Sequence, residues 1–152
     1  MVVGLEKNGR QAIGKSRGGW TTKIHMVAAS DRIAVGFKLS AGQVHDAQEG
    51  RTLLCHLRDR LGNAFVLMDR AYEGNQTREL ACSLGLKPVV PPKRNRLQAW
   101  EYDQQLYKRR NEVERLFRRL KGFRRIATRF EKLDTMFLGF ITFALIVDAL
   151  RK

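Results

Sequence analysis

Apolar and polar positions alternate along two neighbouring stretches, 20–29 (WTTKIHMVAA) and 33–39 (IAVGFKL), on either side of Ser30-Asp31-Arg32. Period-two alternation around a short polar turn predicts a β-hairpin. The period then changes. Over 47–61, Leu53, Leu54, Leu57 and Leu61 recur on one helical face, so a helix is expected there, after the loop 42–46. Residues 64–68 (AFVLM) are continuously apolar, as expected of a central strand buried on both faces. A helix over 75–84 ends before Gly85, a residue suited to the left-handed position that closes a helix. A short strand at 87–90 is stopped by Pro91-Pro92. Residues 93–105 are polar and loop-like. A long helix is predicted from 104 to 122 and a last one over 135–151. Residues 1–19 are Gly-rich and basic without apolar periodicity, which predicts a flexible arm. Strands interleaved with helices give an α/β domain with a sheet of at least four strands over 20–152.

The apolar run 136–147 is shorter than the roughly 20 residues a membrane span needs, so it reads as a buried helix with no membrane as partner. Residues 1–10 carry charges and no apolar leader-like stretch. Cys55 and Cys82 have no metal-binding spacing, and both are expected to be small buried hydrophobes in a reducing, cytoplasmic setting. His25, His45 and His56 are too widely spaced for a local zinc motif. Trp20 is expected in the core.

Charge changes the picture. The 152 residues carry 29 Lys/Arg against 15 Asp/Glu, a net +14. Residues 87–132 hold 15 of those cations and 5 of the acids. Such concentration in one third of the chain predicts a polyanion as partner, bound through phosphates. Trp100, in the basic loop, and Tyr72 are candidates for stacking on bases.

Within this frame Asp69 stands out, because a carboxylate directly after an apolar strand lies where α/β folds place ligands. On the 104–122 helix, Tyr107, Arg110, Glu114 and Lys121 share a stripe about 60° wide. Glu114 borders the core face formed by Val113, Leu116, Phe117, Leu120 and Phe123. Lys108, Arg109, Arg115, Arg118 and Arg119 crowd the outer face.

The spacing Tyr107-x2-Arg110-x3-Glu114-x6-Lys121 resembles the YREK signature of bacterial insertion-sequence transposases of the DDE type. Three further segments resemble that family in the same order: 14–25 (GKSRGGWTTKIH), 42–46 (GQVHD) and 68–74 (MDRAYEG). The likeness covers nearly the whole chain and is greatest to the insertion-sequence-five group. It implies a ribonuclease-H-like fold and metal-dependent DNA strand cleavage and transfer. It further implies a two-metal Mg²⁺ or Mn²⁺ site, with Asp69 and Glu114 as second and third catalytic acids and metal ligands. Tyr107, Arg110 and Lys121 would contact DNA, with Arg118, Arg119 and Trp100 as further DNA-binding candidates. The partners implied are element ends and target DNA, with a homo-oligomer when complete.

The family's first acid belongs on a strand upstream of the 14–25 segment, and no residue here matches it. Glu6 lies in a Gly-rich stretch, Asp31 in the hairpin turn and Asp46 before a helix. The expectation is a partial catalytic domain lacking its first strand and inactive alone. It is either a downstream reading frame, with the upstream-frame product as a partner, or a truncated remnant. The competing reading is a relic that keeps basic nucleic-acid binding without catalysis.

Overall fold

A computed structural model describes residues 11–151. Strands β1 (Gly14–Ser16), β2 (Gly19–Ala28) and β3 (Ala34–Ala41) form an antiparallel meander. Cross-strand pairs such as Ile24↔Leu39 and Met26↔Phe37 fix the register of β2 and β3. The predicted hairpin is present. The arm expected over 1–19 is in part ordered, because Gly14 to Ser16 pair with Thr21 to Gly19. Gly19, at φ +101°, takes a left-handed turn that a side chain would oppose. Residues 1–10 of that arm lie outside the described residues.

The period-two pattern sends Ile24, Met26, Phe37 and Leu39 to one face of the meander. There they pack on Leu120, Ile126, Phe137, Ile141 and Ala144 from three helices. These are α4 (Asn111–Lys121), α5 (Arg124–Ala127) and α6 (Asp134–Leu150). The opposite face carries α1 (Asp46–Leu61), whose Leu53, Leu54 and Leu57 are buried as predicted. Gly36 permits this approach: a Cβ there would lie 2.6 Å from Leu57 Cδ2.

After α1, β4 (Phe65–Leu67) and β5 (Lys87–Val89) run parallel. They are joined through a 3₁₀ turn (Arg70–Tyr72) and α2 (Asn75–Ser83). Leu54, Met68, Ala81, Leu86 and Val90 form the core on this side. The architecture is mixed α/β with small sheets flanked by helices. The expected single sheet of at least four strands is replaced by two sheets, of three and two strands. β4 is correspondingly not doubly buried, with Phe65 at 56% exposure. The reason is that β4 ladders only with β5 among the described residues, so one of its edges lacks a strand neighbour.

The helix predicted over 104–122 is three pieces: α3 (Gln104–Tyr107), a 3₁₀ turn (Lys108–Arg110) and α4. The tighter turn falls on three consecutive cations and advances Tyr107 further around the axis than a continuous α-helix would. Trp20 is exposed, on the short β1–β2 ribbon and away from either core. Cys55 and Cys82 are exposed too, on the outward faces of α1 and α2. Among the described residues no helix is long and apolar enough to cross a membrane.

His25 is the buried titratable group of the meander, its Nε2 2.8 Å from Ser40 Oγ. Burial holds its pKa below the ordinary value, against the attraction of Asp46 and Glu49 and with the repulsion of Lys23 and Lys38. The folded state therefore favours neutral imidazole. The stability this contributes is present above the unfolded value near 6.5 and is lost as pH falls through the lower folded value. Melting temperature is expected to drop between about pH 7 and pH 5, and His25→Gln to drop less over that interval. Equal drops would show that His25 is not responsible.

Candidate active site

Asp69 is delivered by the end of β4. Met68 N–H donates to Val89 O at 3.0 Å, extending the ladder by one residue. The chain then leaves the sheet as Asp69 O accepts from Tyr72 N–H at 2.9 Å. That backbone bond opens the 3₁₀ turn, while the Asp69 side chain makes no capping bond and stays solvent-accessible. A helix-capping role therefore does not account for it.

Glu114 comes from the first turn of α4, anchored by fully buried Leu116 and Leu120. The two carboxylates meet at one guanidinium. Arg110 Nη1 lies 2.7 Å from Glu114 Oε1 and 3.9 Å from Asp69 Oδ2. Tyr107 completes the group, its ring 5.7 Å from Arg110 Cζ and packed edge-on against Tyr102. Burial raises the Tyr107 phenol, Arg110 opposes that shift and Asp69 adds to it. Burial alone would lower the Arg110 guanidinium, but Glu114, Tyr107 and Asp69 together raise it. Asp69, Tyr107, Arg110 and Glu114 thus form one cluster. Lys121 is offset from it. With Arg118, Glu114, Thr22 and Ile24 it lines a cleft of about 550 Å³ between β2 and α4.

Two other candidates are placed elsewhere. Arg119 Nη2 pairs with Asp31 at 3.0 Å and Arg119 Nε with buried Asp148 at 3.0 Å, so its charge is spent inside the fold. Trp100 is half-buried, donates Nε1–H to Val90 O at 2.9 Å, and packs on the Met68 cluster. The Arg78 and Arg96 guanidinium carbons lie 3.5 and 4.7 Å from its ring centroid. The ring pins the basic loop to the domain.

Asp46 and Asp31 are each paired, with Lys23 at 2.7 Å and with Arg119. Neither reaches the Asp69–Glu114 cluster as a third acid. Two residues of the turn that follows Asp69 are also informative: Glu73, which sequence reasoning missed, and Tyr72, which it weighed only for stacking on bases. Glu73 is buried and holds Lys93 at 3.2 Å and Arg96 at 2.9 Å, tying the 93–105 loop to the turn after Asp69. Its signal was its place in the 68–74 segment, opposite a basic loop. Tyr72 is half-buried, and burial with the charges of Asp46 and Asp69 pushes its phenol up to about 12. Gly50 makes room for it, since a Cβ there would lie 2.5 Å from Tyr72 Cε1.

The chain's residues 4–147 match the family model described as "Transposase DDE domain". The chain belongs to this transposase family. The protein described as "Putative transposase for insertion sequence element IS6501", from Brucella ovis, is 35% identical over 126 residues, covering 82% of this chain and 94% of the relative. No solved structure matches. Transposases of the DDE family generally use divalent metal. Among the described residues no group of three His, Cys, Asp or Glu gathers at one point. The donors that do converge, two accessible carboxylates, are hard oxygen ligands of the type Mg²⁺ and Mn²⁺ take. The pair fits part of a metal site.

Proposed function

We propose that this chain is the second-acid and third-acid part of an insertion-sequence transposase catalytic domain with a ribonuclease-H-like plan. The observation that carries this reading is the meeting of Asp69 and Glu114, 45 residues apart in sequence, on one Arg110 guanidinium. A meander, a covering helix and then a strand ending in the acid also suit the ribonuclease-H-like order.

In this reading Asp69 and Glu114 would hold a divalent cation, which when bound stabilises charge on the attacking or the leaving oxygen at the phosphorus. Arg110 restrains both carboxylates at the mouth of the site, and Tyr107 braces Arg110. Arg118 and Lys121 draw the phosphate backbone along the cleft beside Glu114. Water, and then a DNA 3′-hydroxyl, serve as nucleophiles, so no side chain here forms a covalent intermediate. Tyr72 and Tyr107, with raised pKa values, stay protonated and can only donate to phosphate oxygens near neutral pH.

Two titrations test this. Duplex DNA should bind with little sequence preference, the affinity falling by about 10³ between 50 and 200 mM salt if six phosphates are neutralised. Arg118→Ala should reduce the salt slope by about one. Mn²⁺ should bind weakly to the wild-type chain, and Asp69→Asn with Glu114→Gln should abolish that binding while leaving DNA affinity in EDTA intact. Mn²⁺ binding unchanged by the double substitution would favour the relic that only binds nucleic acid.

A further inference from the structure

α6 is apolar on every side, yet the domain covers only one. Phe137, Ile141, Ala144 and Asp148 face inward and are buried. On the opposite side Met136, Phe143, Ile146 and Leu150 are 55, 63, 53 and 77% exposed, and a Cβ on Gly139 would meet nothing within 4 Å. A helix hydrophobic all round is normally enclosed. A groove of about 860 Å³ runs alongside between α6, α1 and the outer edge of β3, lined by Leu138, Leu145 and Leu57 on its α6 and α1 walls and elsewhere by the cations Arg32, Lys38 and Arg60. It widens the uncovered surface.

We infer that α6 is the face through which two copies of this chain pair. Three features favour a second copy over an unrelated partner. The exposed positions 136, 139, 143, 146 and 150 follow the spacing of a helix-packing seam. That seam is nearly symmetric about Phe143. In an antiparallel crossing, Met136 meets the other copy's Leu150, Gly139 meets its Ile146, and Phe143 meets its own counterpart, as a two-fold interface requires. Small then faces large where Gly139 receives Ile146.

The second feature is charge. Two copies each carrying +14 repel through most of their surface. α6 contains no Lys or Arg, and its two acids, Asp134 and Asp148, are neutralised by Arg129 and Arg119. It is therefore a face on which like copies can meet at little electrostatic cost. The third is area. The four exposed side chains present on the order of 500 Å² per copy, so pairing would bury about 1,000 Å², the lower bound for a specific interface.

The pairing needs no DNA, and salt acts on it in the opposite direction. Screening the repulsion between cationic copies should strengthen the dimer as NaCl rises, whereas DNA binding weakens. Sedimentation velocity of the full chain without DNA should show dimer increasing from about 100 to 500 mM NaCl. Phe143→Glu should weaken dimerisation about 30-fold, as loss of a central apolar anchor does. Phe143→Lys should do the same, and mixing the two variants should restore a dimer because the two-fold brings position 143 against itself. Circular dichroism of each variant checks the fold. Should either misfold, Phe143→Cys in a Cys55→Ser, Cys82→Ser background is expected to cross-link as a disulfide dimer on mild oxidation. A wild-type chain that stays monomeric at about 500 mM NaCl would overturn the inference. So would a Phe143→Glu chain that dimerises undiminished, or folded 143 variants that neither re-pair nor cross-link.

Discussion

A polypeptide extended upstream by one strand ending in aspartate should cleave DNA at least about 10²–10³-fold faster than the 152-residue chain, and should melt at a higher temperature. Two structural facts set this expectation. Asp69 and Glu114 converge, but among the described residues no third acid joins them. Two carboxylates can hold one cation, whereas positioning two normally takes a bridging third. Losing one metal forfeits stabilisation of either the attacking or the leaving oxygen. In addition, β4 pairs with β5 on one side only, and the β2–β3 meander is a separate sheet. A strand inserted beside β4 would satisfy backbone groups and cover apolar side chains, and an open edge is where such pairing is expected. The checks are Mn²⁺-dependent nicking of an oligonucleotide and thermal melting of both forms. Vigorous metal-dependent strand transfer by the 152-residue chain alone, lost in Asp69→Ala, would defeat the prediction.

The second large effect is expected far from the cluster. Arg119→Ala should cost about 3 kcal/mol in urea unfolding, because it leaves Asp148 buried without its counter-charge. Part of the guanidinium is solvent-exposed, which keeps the value at the low end of the range for a broken buried pair. Replacing both residues, as Arg119→Leu with Asp148→Leu, should recover most of the loss, since neither charge then remains to be desolvated. The salt slope of DNA binding should be nearly unchanged by that double substitution, in contrast to Arg118→Ala. A stable Arg119→Ala chain with a shallower slope would return Arg119 to the DNA-binding surface.

Arg118 and Arg119 show where sequence reasoning stops. Adjacent cations on one helix are indistinguishable by charge. What separates them is Asp148, 29 positions on in an otherwise apolar run, and Asp31, in a turn at the other end of the chain. Local signals carried well: alternation placed β2 and β3, the Leu53-Leu54-Leu57 spacing placed α1 and its buried face, and Gly85 marked the end of α2 at φ +75°. Asp69 and Glu114 were singled out by the resemblance of the 68–74 segment and of the Tyr107-to-Lys121 spacing to the family, and the structure brings both onto one Arg110 guanidinium. Long-range pairing was not legible. The continuous apolar run at 64–68 looks the same whether one or two strands flank it, so the division into two sheets had no local signature. The packing of Trp100 had no local signal for a similar reason, because the groups that hold it, Val90 and Arg78, lie ten or more positions upstream. Glu73, too, is buried by cations 20 and 23 positions downstream.

β2 contributes to both hydrophobic clusters: Val27 packs into the one under α1 and α2, and Ile24 and Met26 into the one under α4 and α6. The two cores are thus back to back on a shared wall. Opening that strand would empty both at once, and loss of packing on either side loosens the support of the other. The domain is therefore expected to unfold as one unit despite its divided sheets, and the Asp69 and Glu114 elements, one from each side, to keep their mutual position only while that wall stands.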